Sequence, residues 1–405
     1  MMLLKIAWRN IWRNKMRSIV VLSSVAIGLF AGMFMIAFFQ GLMKQEVDNA
    51  IETQLSHIQV HNPVFPEDKE VGALIENGSG LLEKFKQDPA VKAASGRVIT
   101  TGMISCASTA AGVEIHGIVV SDEKNISSVT VDLTEGSYFS RGGKNEIVIG
   151  KKLAGKLAVQ LHSKIVLTIQ TKSGDLTAGS FRVAGLFRSR NSSFDETTVF
   201  TKQDDLAQLL GTGKEIHEIA LLLKDGKQAD PIAASYKKQY PSLLVQTWSE
   251  IEPEMAMLTG LMDQMMYIII GIILLALMFG IINTMLMAVL ERQREFGMLM
   301  AIGMNKVRVF FMVLLESFML TCIGLPAGIL LTIVFVRYFA SRGIDLSAFS
   351  EALSQLGFSS IVYPELQQSM FLPITLMTAL SAILSAIYPA LKALQFKPAV
   401  AIHKI

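Results

Sequence analysis

The run QMMYIIIGIILLALMFGIINTMLMAVL, residues 264–290, contains no Asp, Glu, Lys or Arg, and is followed at once by ERQREFGMLMAIGMNKVR, residues 291–308. Wound as a helix at ~1.5 Å per residue, it exceeds the ~20 apolar residues needed to cross ~30 Å of hydrocarbon. Three further runs share this character. Residues 18–43 and 366–391 are uncharged, and 309–336 holds a single charge, Glu316. A buried core helix could explain one such run, but four of this length point to a membrane protein with four spans. Pro326, Pro373 and Pro389 fall in or near these runs, where membrane helices tolerate kinks. The composition agrees, with 51% hydrophobic residues, 18% charged residues and a mean hydropathy of +0.44. Soluble domains carry ~25% charged residues, so a purely soluble enzyme is excluded. Two cysteines, Cys106 outside and Cys322 within a span, leave no disulfide framework.

The charges orient the spans. Lys5, Arg9, Arg13, Lys15 and Arg17 precede the first span with no acid among them. Arg292, Arg294, Lys306 and Arg308 lie between spans two and three, and Lys392, Lys397 and Lys404 follow span four. Basic residues at span ends mark the cytoplasmic side. Both termini (1–17 and 392–405) and the 291–308 loop are therefore expected inside, and segments 44–263 and 337–365 outside. Segment 44–263 holds 23 Lys/Arg against 28 Asp/Glu, a net of −5, while the remainder carries +8.

Within 1–17, Leu4, Ala7, Trp8, Ile11 and Trp12 follow helical spacing beside the basic row Lys5, Arg9 and Arg13. This predicts a helix lying in the interface, either as a generic anchor or as an elbow bracing the first span. Gly28–Gly32 and Gly324–Gly328 form G-x-x-x-G motifs, which allow close helix approach within one chain or between copies. An acid inside a span, such as Glu316, is a functional candidate. The structural alternatives are snorkelling and pairing with Arg308, and the structural role is preferred.

Segment 44–263 reads as an α+β domain with many short strands. Strands are expected at 57–61, 97–104, 113–120, 146–149, 164–170, 180–187, 197–200 and 219–223, and helices at 80–87, 151–158, 202–210 and 230–238. The expected plan is one subdomain from 56–104 and 214–250, with a strand-rich insertion at 105–213. His57 and His61 share a strand face without a third metal ligand nearby, so surface histidines are the default reading. Gly150–Leu157 imitates a phosphate loop, but Leu157 replaces the Ser/Thr that would hold Mg²⁺. With no nucleophile elbow, zinc motif or paired carboxylates, catalytic, cofactor-binding and metal-binding residues are all expected to be absent.

The 291–308 loop has a charged entry, an apolar patch (Met298, Leu299, Met300, Ile302) and then Gly303. This pattern suits a short helix that docks another protein or presses into lipid. Glu291-Arg292…Arg294-Glu295-Phe296-Gly297-Met298-Leu299-Met300-Ala301-Ile302-Gly303, followed by Leu315-Glu316-Ser317, resembles permeases of the MacB/LolC/LolE/FtsX type of ABC transporter. The endings Tyr388-Pro389-Ala390-Leu391-Lys392 and Lys397-Pro398-Ala399, the basic start at Trp8-Arg9-Asn10, and the order of one span, an external domain and three spans are similar too. In the external domain, Glu146–Ala154 and Phe181–Phe187 carry the resemblance. Leu55–Pro63 looks most like the LolE-type branch, and His162-Ser163 departs from the family's usual Gly-Asp.

The resemblance implies a non-catalytic permease in a bacterial inner membrane. A separate cytoplasmic ABC ATPase dimer, holding ATP and Mg, would dock on the coupling loop formed by Glu295, Phe296, Gly297, Met298, Leu299, Met300, Ala301, Ile302 and Gly303. Nucleotide-driven motion would pass to the external domain. A second copy or a homologous permease would complete the pair, amid membrane lipid and without nucleic acid. Lipoprotein release is the first expectation; a split MacB-type exporter and an FtsX-type signal transmitter are the alternatives. Acyl chains would need an apolar cleft between spans one and two, for which Phe34, Phe38, Phe39, Met262, Met265 and Met266 are candidates. Ordinary helix packing explains the same residues.

Overall fold

The computed structural model describes residues 2–13, 15–107, 109–127, 133–139, 143–189, 191–349, 353 and 358–395. The chain starts with helix α1 (Met2–Arg13), whose side chains up to Ala7, including the expected Leu4 and Lys5, lie outside the described residues, as does the side chain of Arg17. Trp8 and Trp12 stand exposed and edge to face, 6.0 Å apart, while Ile11 is buried. The long helix α2 (Lys15–Ala50) follows and ends in a π turn, Ile51–Leu55.

One compact unit comprises residues 45–258 and 347–360. Its strands are β1 (Ile58–His61), β2 (Val91–Ser105), β3 (Ala110–Ile118), β4 (Leu133–Gly136), β5 (Glu146–Gly150), β6 (Lys164–Gln170), β7 (Leu176–Phe187), β8 (Thr198–Lys202), β9 (Glu218–Leu223) and β10 (Leu244–Thr247). Helices α3 (Gly78–Gln87), α4 (Lys151–Leu157), α5 (Gln203–Leu210) and α6 (Ala229–Gln239) pack on them. Among the described residues the strands form one sheet in the order β10-β1-β9-β2-β3-β8-β5-β7-β4, with β6 bridging β2 and β7.

That bridge closes a circuit, β2-β3-β8-β5-β7-β6 and back to β2. The circuit is a small barrel filled by Ile104, Ile115, Ile147, Ile165, Leu167 and Phe181. Strand β2 serves two structures. Its first half pairs with β9 (Arg97 opposite Glu218), and its second half with β6 (Gly102 opposite Ile169). A Cβ at Gly102 would lie 2.6 Å from the Ile169 side chain and 2.7 Å from the Thr168 carbonyl, so the crossover needs glycine. The expected division at 104/105 therefore falls at the end of a shared strand. A single apolar core from Ile58 to Val245 runs through both pieces. An amphipathic strand must bury its apolar face on whatever lies beside it, and a strand of 15 residues is long enough to do so twice.

The other unit comprises residues 1–44, 259–346 and 361–405. Helix α7 (Pro253–Glu291) runs into it and is followed by a short helix α8 (Gln293–Ala301), α9 (Lys306–Arg342) and α10 (Gln368–Ala393). Helices α2, α7, α9 and α10 are long and apolar enough to span a membrane. Residues 396–405, where the expected tail with Lys397 and Lys404 would fall, lie outside the described residues. Between α9 and α10, β11 (Ile344–Asp345) pairs with β12 (Ile361–Val362).

Small residues set the helix contacts. A Cβ on Gly324 would meet Val25 at 3.0 Å, and one on Gly328 would meet the Ala26 carbonyl at 2.8 Å. The G-x-x-x-G of α9 thus packs against α2 within the chain. In the α2 motif, Gly28 faces Leu277 of α7, while nothing lies within 4 Å of a Cβ on Gly32.

Candidate functional site

Helix α8 is fixed at both ends. Its C-terminus closes on Gly303, at φ +103°, with the Met304 N–H bonded to the Leu299 carbonyl at 2.9 Å and the Gly303 N–H to that of Met300 at 3.1 Å. Only glycine adopts this conformation without strain. Two residues on, the Asn305 side chain accepts from the Val307 N–H and caps α9. Along α8, Phe296 and Gly297 are buried, and Leu299 and Met300 are half-buried against the cluster containing Ile11, Val289, Val309 and Met312. Met298 and Ala301 are exposed, and Ile302 is 85% exposed. Of the nine residues expected to dock a partner, Phe296 and Gly297 are inaccessible and hold the helix in place. Met298, Ala301, Ile302 and Gly303 form the free tip, which sequence alone could not separate from the rest.

A chain of charges ties this helix to its neighbours. Arg13 of α1 pairs with Glu295 of α8. The other Glu295 oxygen accepts from Arg292 Nε at 2.8 Å, and Arg292 Nη1 reaches Glu316 Oε2 of α9 at 3.0 Å. Arg292 also lies 5.2 Å from the Phe296 ring. Glu316 is 4% and Arg292 7% exposed. Glu316 is therefore paired with Arg292, 24 residues back in the chain, and not with Arg308, which is exposed. Ions this deeply buried persist only where geometry and hydrogen bonds offset their desolvation. The linkage of Arg13, Glu295, Arg292 and Glu316 was not evident from sequence, where Arg292 reads as one more basic residue beside a span.

The chain matches the MacB-like periplasmic core domain over residues 18–239 and the FtsX-like permease C-terminal family over 267–398. It is an ABC transporter permease of the FtsX/MacB type. The permease is similar to the lipoprotein-releasing system transmembrane protein LolC of Neisseria meningitidis serogroup B, at 24% identity over 331 residues covering 78% of this chain and 76% of the relative. It is also similar to the lipoprotein-releasing system transmembrane protein LolE of Haemophilus influenzae, 23% identical over 336 residues and 80% of each chain. A third relative is the pyoverdine export ATP-binding/permease protein PvdT of Pseudomonas syringae pv. tomato, 25% identical over 359 residues, 81% of this chain and 50% of that one. Membership makes this a non-catalytic transmembrane subunit and implies an ATPase partner.

Of the six residues expected to line an acyl cleft, Phe39 and Met266 share one cluster in the permease. Phe34 contacts Phe30 with tilted rings and, at 6.0 Å, meets Phe339 of α9 edge to face, and Phe30 meets Phe335 at 5.1 Å. Phe38 contacts Phe39 edge to face. Met266 is buried in a cluster with Leu29, Met33 and Ile36, where Phe39 joins it, whereas Met265 is 52% exposed and Met262 half-buried. Phe39 and Met266 thus meet in one cluster, while Phe34 turns to Phe339 of α9 and Met265 is exposed.

In the domain between the first two spans, no group of three or more His, Cys, Asp or Glu side chains among the described residues could hold a metal. His61 is not a surface residue. It is buried, with Nε2 3.1 Å from Glu218. Burial opposes the charge on Glu218, yet Arg97 and His61 hold its carboxyl down to about 2. Glu114, partly buried beside His116 and Lys69, is likewise held down to about 2. Burial lowers the pKa of His217 despite a bond to the Val71 carbonyl. A polar cavity of about 330 Å³ opens between the 68–72 loop, Thr100–Thr101 and the Gln170–Lys172 turn.

Proposed function

We propose that the permease converts ATP hydrolysis by a separate cytoplasmic ATPase dimer, which holds ATP and Mg, into movement of its external domain. The observation that carries this is the free apolar tip of α8: Met298 and Ile302 stand exposed on a helix locked at both ends and tied by charges to α1 and α9. A push on that tip is transmitted through the Glu295–Arg292–Glu316 linkage, because buried ion pairs resist separation. The basic residues Arg9, Arg13, Arg292 and Arg294 support a reading in which α1 and α8 lie on the cytoplasmic side of a bacterial inner membrane. Reporter fusions at residues 150 and 300 test this, and the same compartment for both would sink it.

The cargo we favour is a lipoprotein drawn from the outer leaflet, with two copies or a copy and a homologue as the working pair. Relatives named for lipoprotein release, of both the LolC and LolE kinds, support this reading. The PvdT relative supports export of another substrate as the second reading. Depletion with tracking of lipoprotein sorting separates them: unaltered sorting would refute the first. For docking, Ile302→Asp and Met298→Asp are expected to abolish copurification of the ATPase while membrane insertion persists. Leu299 is a poorer probe, since a charge there would also disturb the cluster behind the helix.

A further inference from the structure

Helix α2 runs into the π turn Ile51–Leu55, and Ser56 turns the chain at φ 57°. A helix end leaves carbonyls without helical partners, and π turns are frequent at functional sites. Here those carbonyls are taken up by side chains of the sheet and of the loop that follows the short helix Val120–Glu123. The Gln54 carbonyl accepts from Arg97 Nη1 at 3.2 Å, the Leu55 carbonyl from Gln59 Nε2 at 2.8 Å and the Thr53 carbonyl from Ser127 Oγ at 3.4 Å.

Arg97 does more than cap. Its Nη2 and Nε donate to Glu123 at 2.7 and 3.2 Å, and Nη1 also donates to Glu218 at 2.7 Å. Glu123 accepts from Ser95 as well, and Glu218 from His61. Arg97, Glu123 and Glu218 are each less than 5% exposed. One guanidinium thus joins the helix end to β2, to β9 and to the short helix Val120–Glu123. Ile51 seals the joint, packed with Ile126, Ala220 and Leu222. A planar fork with five donors can satisfy all these acceptors; an ammonium cannot. Arg97 also sits on the strand that both pairs with β9 and forms part of the barrel wall.

We propose that Arg97 is the pin that makes the helical segment 45–55 and strand β2 move as one body, so that displacement of the helix reaches the barrel and is not absorbed in the π turn. What drives the displacement rests on the function proposed above; the pin itself does not. The test uses the full-length permease in lipid nanodiscs. Hydrogen exchange is compared between the native protein, Arg97→Lys, and the neutral triple variant Arg97→Met/Glu123→Gln/Glu218→Gln, which keeps the joint filled if the lysine variant misfolds. Exchange at 51–55 should rise by about tenfold or more while β3 and β8 stay protected. Unchanged exchange there, or an equal rise through the whole domain in both variants, overturns the proposal.

Spin labels at the exposed positions Asp48 and Leu176 report the lever directly in the complex purified with its ATPase. The native distance distribution should be narrow and unmoved by ATP, and that of Arg97→Lys broader and ATP-dependent. Equal widths in the two overturn the pin. Broadening without any ATP response leaves the pin standing and refutes the driving function.

Discussion

Replacing Glu316 by Gln tests whether the buried linkage holds α8 to α9. Nη1 of Arg292 lies 3.0 Å from Glu316 Oε2, and both residues are less than a tenth exposed. Removing one partner of a buried pair costs about 3–5 kcal/mol, because the other charge stays buried. Arg292 retains Glu295 at 2.8 Å, which places Glu316→Gln near the lower end, about 3 kcal/mol. Arg292→Met takes a cation away from Glu316 and from Glu295, which keeps Arg13, so its cost falls in the same range of about 3–5 kcal/mol. The double variant Arg292→Met/Glu316→Gln puts uncharged side chains of similar length in their place. Such replacements are often neutral, so it should cost about 1–2 kcal/mol, and the double-mutant cycle should return a coupling of about 3 kcal/mol or more. Reversible unfolding of the full-length permease in mixed micelles, titrated with SDS and followed by circular dichroism, measures all four proteins. Additive costs, or a loss below about 1 kcal/mol for Glu316→Gln, would refute the argument that this pair carries load.

Gly328→Leu should cost about 1–3 kcal/mol in the same titration, since its first carbon would lie 2.8 Å from the Ala26 carbonyl, whereas Gly32→Leu, with open space before it, should change little. Gly303→Ala should cost about 1 kcal/mol from its positive φ and weaken ATPase copurification less than Ile302→Asp does. The external domain should lose stability in two stages on acidification. Burial holds His57 and His217 below the ordinary 6.5, so the unfolded chain binds protons first and stability falls as pH drops below 6.5. Glu114 and Glu218 are held at about 2 against an ordinary 4.5, so their contribution is whole above 4.5 and lost as pH falls from there toward 2. Limited proteolysis of the full-length permease across this range follows both stages. Glu218→Gln should flatten the lower one, and an unchanged lower stage would contradict the assignment.

The four spans were legible in the sequence because crossing a membrane depends on one contiguous property, an uncharged run long enough for the hydrocarbon. Most strands of the external domain could be read for a similar reason: alternation and turn residues act locally. Strands Leu133–Gly136 and Leu244–Thr247 escaped, both being only four residues long. The resemblance implies α8 as a docking point for an ATPase, yet it could not separate the exposed Ile302 from the buried Phe296, since both are apolar and six residues apart. Only the tertiary structure decided that separation, because it depends on which side of α8 faces the cluster around Ile11 and Met312. It also decided that Glu316 meets Arg292, that Arg97 holds the π turn and that β2 belongs to two pairings. An ion pair needs two groups within hydrogen-bonding distance after the chain has folded, and no local pattern records which distant residue arrives there.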